Sequence, residues 1–347
     1  MKLRTRRLRF LIRVLSYTIT LLFFIKGGVA QERKMTPPAI EDFVDTRFQG
    51  VSEDWTTPSL SQSRLRPALP LTGFADKQAK WSVELVRVQW RNADPIDLWI
   101  MKPRGIEKPP VVLYLYGYPT DTDMFRDPKV QELLTRDGVA AVGFVSALTG
   151  GRYHNRPMKQ WFLSELQESL AKSTHDVQMI INYLASRGDF DMDRVGMFAQ
   201  LSGASIGILA SAVDPRIRAL DTFDPWGDWP AWMESSPFVP KDERADYVKP
   251  EFLTKVAALE PLDWMGKVQA KKFRLQQRRF EGETPLPSKQ KLEAAVPPGA
   301  TVVMYKTHAE FGDAIGPNGD NALDWIKKAV KSLPPPAPDT TVADKSN

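Results

Sequence analysis

The stretch from Asp193 to Ala210 constrains what this chain can fold into more than any other. Val195 to Phe198 is an apolar run too brief for a helix, so it reads as a buried strand. Small residues crowd the next positions, and an apolar-periodic segment that reads as a helix follows. A chain that turns from strand to helix within so few residues brings two backbones close together. Small side chains are then needed two positions before and two after the apex of the turn. Ala199 and Gly203 meet that need if Leu201 is the apex. A shift by one makes Ser202 the apex and puts Gln200 and Ala204 in the crowded places. The small pair favours Leu201.

Around this stretch, strands alternate with helices. Val83–Val88 and Ile96–Ile100, split by Asn92-Ala93-Asp94-Pro95, read as a hairpin. Pro110 to Leu115 is a continuous apolar strand suited to a sheet buried on both faces. A short helix over Lys129–Arg136, a strand over Val139–Val145 and a helical period over Leu163–Leu184 precede the stretch from Asp193 to Ala210. After it come strands over Arg218–Phe223, Phe273–Phe280 and Thr301–Tyr305, with helices over Ser288–Ala295 and Asn321–Val330. The expected fold class is α/β: a mainly parallel sheet, helices on both faces, and antiparallel strands added by the hairpin. Ligands of such sheets bind at the carboxyl ends of the strands.

The ends of the chain read differently. All of Lys2, Arg4, Arg6, Arg7, Arg9, Arg13 and Lys26 fall in the first thirty residues, where there is no acidic residue. An apolar core from Val14 to Ile25 follows, and Gly28-Val29-Ala30 offers small residues for cleavage. Residues 1–30 therefore read as an export signal, and the mature protein is expected to be periplasmic or secreted. The apolar core falls short of the roughly 20 residues that a membrane span needs, which favours a cleaved signal over an uncleaved anchor, and no membrane association is expected after cleavage. The chain has no cysteine, which excludes disulfides and a lipid-modified cysteine. With the signal set aside, 42 acidic residues outnumber the remaining basic ones, so the body carries no nucleic-acid footprint. Residues 31–79 read as an extended arm, 80–332 as the domain, 226–268 as a lid-like insert and 333–347 as a disordered tail.

This order of elements resembles the α/β-hydrolase superfamily, particularly its esterases and its dienelactone-hydrolase-like and prolyl-oligopeptidase-like members. The resemblance covers roughly residues 80–332, and the stretch at Leu201 takes the place of the nucleophile elbow, usually spelled Gly-x-Ser-x-Gly. It implies a catalytic triad in chain order nucleophile, acid, histidine. His308, just after the last strand, fills the histidine slot. Glu281 fills the acid slot a few residues before Pro285, with Glu283 and Asp224 as substitutes. The oxyanion hole would use the backbone N–H groups of Tyr118, in Tyr116-Gly117-Tyr118-Pro119, and of Ser202. The nucleophile slot departs from the pattern: Leu201 has no nucleophilic atom, and Ser202 is a displaced hydroxyl beside it.

The resemblance thus supports two functions. One is an exported hydrolase of carboxylic esters or related acyl compounds, with His308 as base, Glu281 as acid and Ser202 as displaced nucleophile. The other is an inactive relative that keeps the pocket and binds a small ligand or a partner. His154 and His175 are read as structural. Trp226, Trp229 and Trp232 either wall a pocket or simply pack. Lys271, Lys272, Arg274, Arg278 and Arg279 read as the exposed face of an edge strand. No phosphate loop or metal-ligand spacing stands out, and no cofactor or metal is expected.

Overall fold

The computed structural model describes residues 70–91, 94–118, 120, 122–148, 152, 166–279, 282–315 and 322–334. The export signal, the first part of the arm and the tail from residue 335 lie outside them, as do His154 and Glu281. All the described residues belong to the unit Ser52–Asn347.

Among the described residues nine strands form one sheet: β1 (Leu71–Lys77), β2 (Trp81–Arg91), β3 (Asp94–Pro103), β4 (Pro110–Leu115), β5 (Ala140–Phe144), β6 (Asp191–Gln200), β7 (Ile217–Phe223), β8 (Lys272–Arg278) and β9 (Thr301–Tyr305). Their spatial order is β1-β2-β3-β5-β4-β6-β7-β8-β9. The first three pairs in that order are antiparallel and the other five are parallel. The hairpin closes at Arg91 opposite Asp94. Every residue of β4 is buried, as its unbroken apolar run requires of a central parallel strand.

Helices α1 (Pro128–Thr135), α2 (Leu166–Arg187) and α3 (Ser202–Val213) connect the first half of the sheet. α3 is buried from Ser202 to Ala212, apolar on every side and packed between the sheet, α2 and a later helix. On the opposite face, α10 (Ala322–Lys331) lies against β4, β6 and β7. Two apolar clusters result, one on each face of the sheet.

Three features go beyond the sequence expectations. Residues 71–77, inside the arm, add an exposed antiparallel edge strand to the hairpin. The insert 226–268, which lacks a sustained period, holds four short helices: α4 (Trp229–Ser235), α5 (Arg244–Tyr247), α6 (Pro250–Ala257) and α7 (Pro261–Met265). Pro230, Pro250 and Pro261 stand in the first turns of three of them, where a missing N–H costs nothing. β8, expected to be an edge strand from its basic residues, lies inside the sheet between β7 and β9. Arg274 is buried there and paired with Asp221 on β7 at 2.8 Å, so neighbouring acids balance the charge on β8. Completing the fold are α8 (Leu286–Ala294) and α9 (His308–Ile315). Among the described residues no helix is long and apolar enough to cross a membrane.

Candidate functional site

The turn between β6 and α3 follows the steric logic of its sequence. Leu201 is the apex, with φ 53° and ψ −125°, a conformation that costs a side-chain-bearing residue about 1–3 kcal/mol. Its N–H donates to the carbonyl of Phe223, the last residue of β7, at 2.8 Å. A Cβ on Gly203 would stand 2.5 Å from the carbonyl oxygen of Leu115, so only glycine fits there. Gly207, one turn on, faces the Cβ of Ala199. The loop after β4 comes equally close: a Cβ on Gly117 would stand 2.5 Å from Leu201 Cβ and 2.7 Å from the Gln200 carbonyl. Gly117 is what lets this loop lie against the apex.

Those contacts bring Tyr118 and Ser202 together. The Tyr118 N–H donates to Ser202 Oγ at 2.9 Å, and Ser202 is 0% exposed. The serine hydroxyl thus occupies the N–H that the sequence assigns to an oxyanion. Ser205, one helical turn further, donates to the Trp226 carbonyl at 2.8 Å and is a packing residue.

A cluster of charges sits at the carboxyl ends of β7 and β8. Asp224, with φ 46°, accepts from the Arg278 backbone N–H at 2.8 Å and from Arg278 Nε at 2.5 Å. Lys289 Nζ lies 3.4 Å from the other oxygen of Asp224 and donates to the Arg278 carbonyl at 2.5 Å. Lys289 is 2% exposed, and burial pushes its pKa down against the pull of Asp224. Glu283 accepts from Trp226 Nε1 at 3.3 Å, and burial pushes its pKa up. The Arg278 guanidinium lies over Phe223, 5.1 Å from the ring centroid. Phe311 of α9 stacks on the same Phe223 with centroids 5.4 Å apart. His308 opens α9 directly after β9 and is exposed.

On the other side of the apex, half-buried Tyr118 meets Phe238 edge-on at 5.6 Å, and Phe238 in turn meets Trp226. Trp226, Trp229 and Trp232 are buried and pack on one another. Glu260 holds the start of the insert, accepting from the N–H groups of Asp228, Trp229 and Leu262.

No protein-family model matches this chain, and neither does any curated protein. Solved structures do match. Acetyl xylan esterase 1 from Thermoanaerobacterium sp. JW/SL YS485 superposes with a TM-score of 0.60 at 13% identity, over 78% of this chain and 89% of that one. The acetyl xylan esterase from Paenibacillus sp. R4 gives 0.57 at 14% identity, over 72% and 84%. The acylaminoacyl peptidase of Pyrococcus horikoshii gives 0.53 at 12% identity, covering 77% of this chain and 51% of that one. The chain has the α/β-hydrolase fold.

Within the α/β-hydrolase fold, the sequence-assigned residues divide into three groups. Leu201, Ser202 and Tyr118 meet at the elbow. Asp224 and Glu283 gather with Arg278 and Lys289 at the ends of β7 and β8. His308 begins α9, and Glu281 lies outside the described residues. Sequence reasoning missed Arg278 and Lys289 as members of the site. An alternating basic strand beside acidic Asp221 and Asp224 was the available signal, but it needs the strand order to be read. His175 is buried within α2. Among the described residues no group of acids or histidines has metal-binding geometry.

Proposed function

We propose that this exported α/β-hydrolase-fold protein binds a small acyl- or ester-like molecule at its elbow without hydrolysing it through a serine nucleophile. The observation that carries this reading is Leu201 at the apex with φ 53°. That position presents a side chain to the carboxyl end of the sheet, and a hydrocarbon side chain there supplies contact but no attacking atom. Without a nucleophile, catalysis retains only what binding and oxyanion donors provide. Ser202 supports the same reading. Its buried oxygen accepts the Tyr118 N–H, so an attack by it would first break that bond and leave its burial. The basic and apolar start of the chain supports export to the periplasm or beyond.

One observation favours a second reading, hydrolysis by a displaced Ser202. His308 stands directly after the last strand, the place of a general base in this fold. A fluorophosphonate probe separates the two. The binding reading expects no labelling of the purified protein and no turnover of p-nitrophenyl acetate above that of the Ser202→Ala and His308→Ala variants. Labelling at Ser202 that either substitution abolishes would overturn it. A Leu201→Ser, Ser202→Ala double variant restores a hydroxyl at the apex and frees the Tyr118 N–H. It is expected to label more strongly than Leu201→Ser alone.

A further inference from the structure

We infer that Arg278 is the anion anchor of this site, receiving the carboxylate of a small monoacid with an apolar or aromatic body. The inference rests on the ligand-binding reading above and names the ligand class.

Arg278 is the last residue of β8, opposite Tyr305 in the register and two residues beyond the pair formed by Gln276 and Phe223. Phe223 links it to the elbow: its carbonyl takes the Leu201 N–H, and its ring lies beneath the guanidinium. Arg278 therefore stands at the carboxyl ends of the strands, where ligands of open α/β sheets bind.

The guanidinium is only partly used. Nε donates to Asp224 Oδ2, while the two terminal nitrogens make no hydrogen bond among the described residues. The side chain is 13% exposed, and neither terminal nitrogen is among the buried polar atoms that lack a partner, so both reach solvent and are accessible to an incoming acceptor. Phe223 and Phe311 lie 5.1 and 5.8 Å from the guanidinium carbon and offer it π-faces only. An acceptor must therefore come to the terminal N–H edge, and a carboxylate matches that planar fork with two parallel bonds. The Asp224 carboxylate does not serve Arg278 alone, because Lys289 Nζ approaches its other oxygen.

The surroundings set the rest of the ligand. Phe311 is half-buried on α9, a helix with no buried residue; its ring stacks on Phe223 and meets Tyr305 edge-on, and its remaining exposed surface can meet an apolar body. Phe223 lines the same place, which suits a monoacid with a hydrophobic part better than a compact, strongly hydrated anion.

The test is a binding titration of the full chain with phenylacetate, its methyl ester and inorganic phosphate, followed by ligand-observed NMR. Phenylacetate is expected to bind at least about tenfold more tightly than the ester or phosphate, since the two-bond carboxylate pair is the source of affinity. Arg278→Lys, which keeps the charge and loses the fork, is expected to weaken phenylacetate by about tenfold with little effect on the ester. Phe311→Ala leaves the Arg278–Asp224 pair in place and is expected to weaken both compounds. It keeps the test open if the Arg278 variant fails to fold. Equal binding of acid and ester, or an unchanged phenylacetate affinity in folded Arg278→Lys, overturns the anchor. Hydrolysis of the methyl ester by the wild-type chain overturns the non-hydrolytic reading instead, and the affinity ratio still judges Arg278.

Discussion

The elbow and the charged corner lie one strand apart, yet they depart in opposite ways from the triad pattern that the sequence resembles. At the elbow the steric framework is complete: Ala199, Gly203, Gly207 and Gly117 stand wherever backbones crowd, while the reactive atom is missing. At the ends of β7 and β8 charged chemistry is plentiful, but Asp224 is committed to Arg278 and Lys289. A catalytic carboxylate must hold an imidazole; this one holds a guanidinium and an ammonium. Backbone shape persists at the first place and side-chain charge at the second. The comparison teaches that a fold can keep the geometry of a reaction site while its polar groups are bound to one another.

The strongest way to break this comparison is at the corner. Asp224→Asn keeps the shape and tolerates positive φ, but leaves Arg278 and Lys289 facing each other without their shared anion. Unpairing buried charges typically costs about 3–5 kcal/mol, and the lower end is expected, because Lys289, with its depressed pKa, can shed its proton. Urea unfolding measures the loss, and Lys289→Met in the same background should recover part of it. If Asp224→Asn unfolds like wild type, the corner is not a structural pair.

Next comes the elbow framework. Gly203→Val drives a side chain into the Leu115 carbonyl, and overpacking of this kind costs about 1–3 kcal/mol or more. A thermal melt within experimental error of wild type would show that α3 can shift away from β4, and the steric account of the apex would fall. The smallest effect is expected at the apex itself. Leu201→Gly relieves the positive-φ strain and forfeits the contacts of a half-buried leucine, two changes of similar size and opposite sign. A net change within about 1 kcal/mol is expected in urea unfolding. A loss well beyond that would mean that Leu201 is a packing anchor, and that its place at the apex is not held against strain.

The elbow was legible in the sequence because its constraints are local. Residues two apart along the chain crowd the same turn, so Ala199 and Gly203 alone mark Leu201 as the apex. The strand–helix alternation was legible for the same reason, from β4 through α10. The corner was not. Arg278 belongs to β8 and Asp224 to the end of β7, 54 positions apart in the chain with the insert between them. Nothing in the spacing of Lys271, Arg274 and Arg278 tells whether acids or water face them, so a buried interior strand read as an exposed edge. The helices of the insert were hidden because they are short and start at prolines, which in sequence look like punctuation. The bond between Tyr118 and Ser202 escaped notice because the sequence gives a serine's presence but not its rotamer.

That last contact has a consequence for any ligand carrying a carbonyl. To reach the Tyr118 amide, the newcomer must evict an oxygen already there, trading one hydrogen bond for another at almost no net gain. The molecule competes with its guests for its own donor. Discrimination among them is then left to whatever the carbonyl's neighbours can touch, because this amide offers every carbonyl the same exchange.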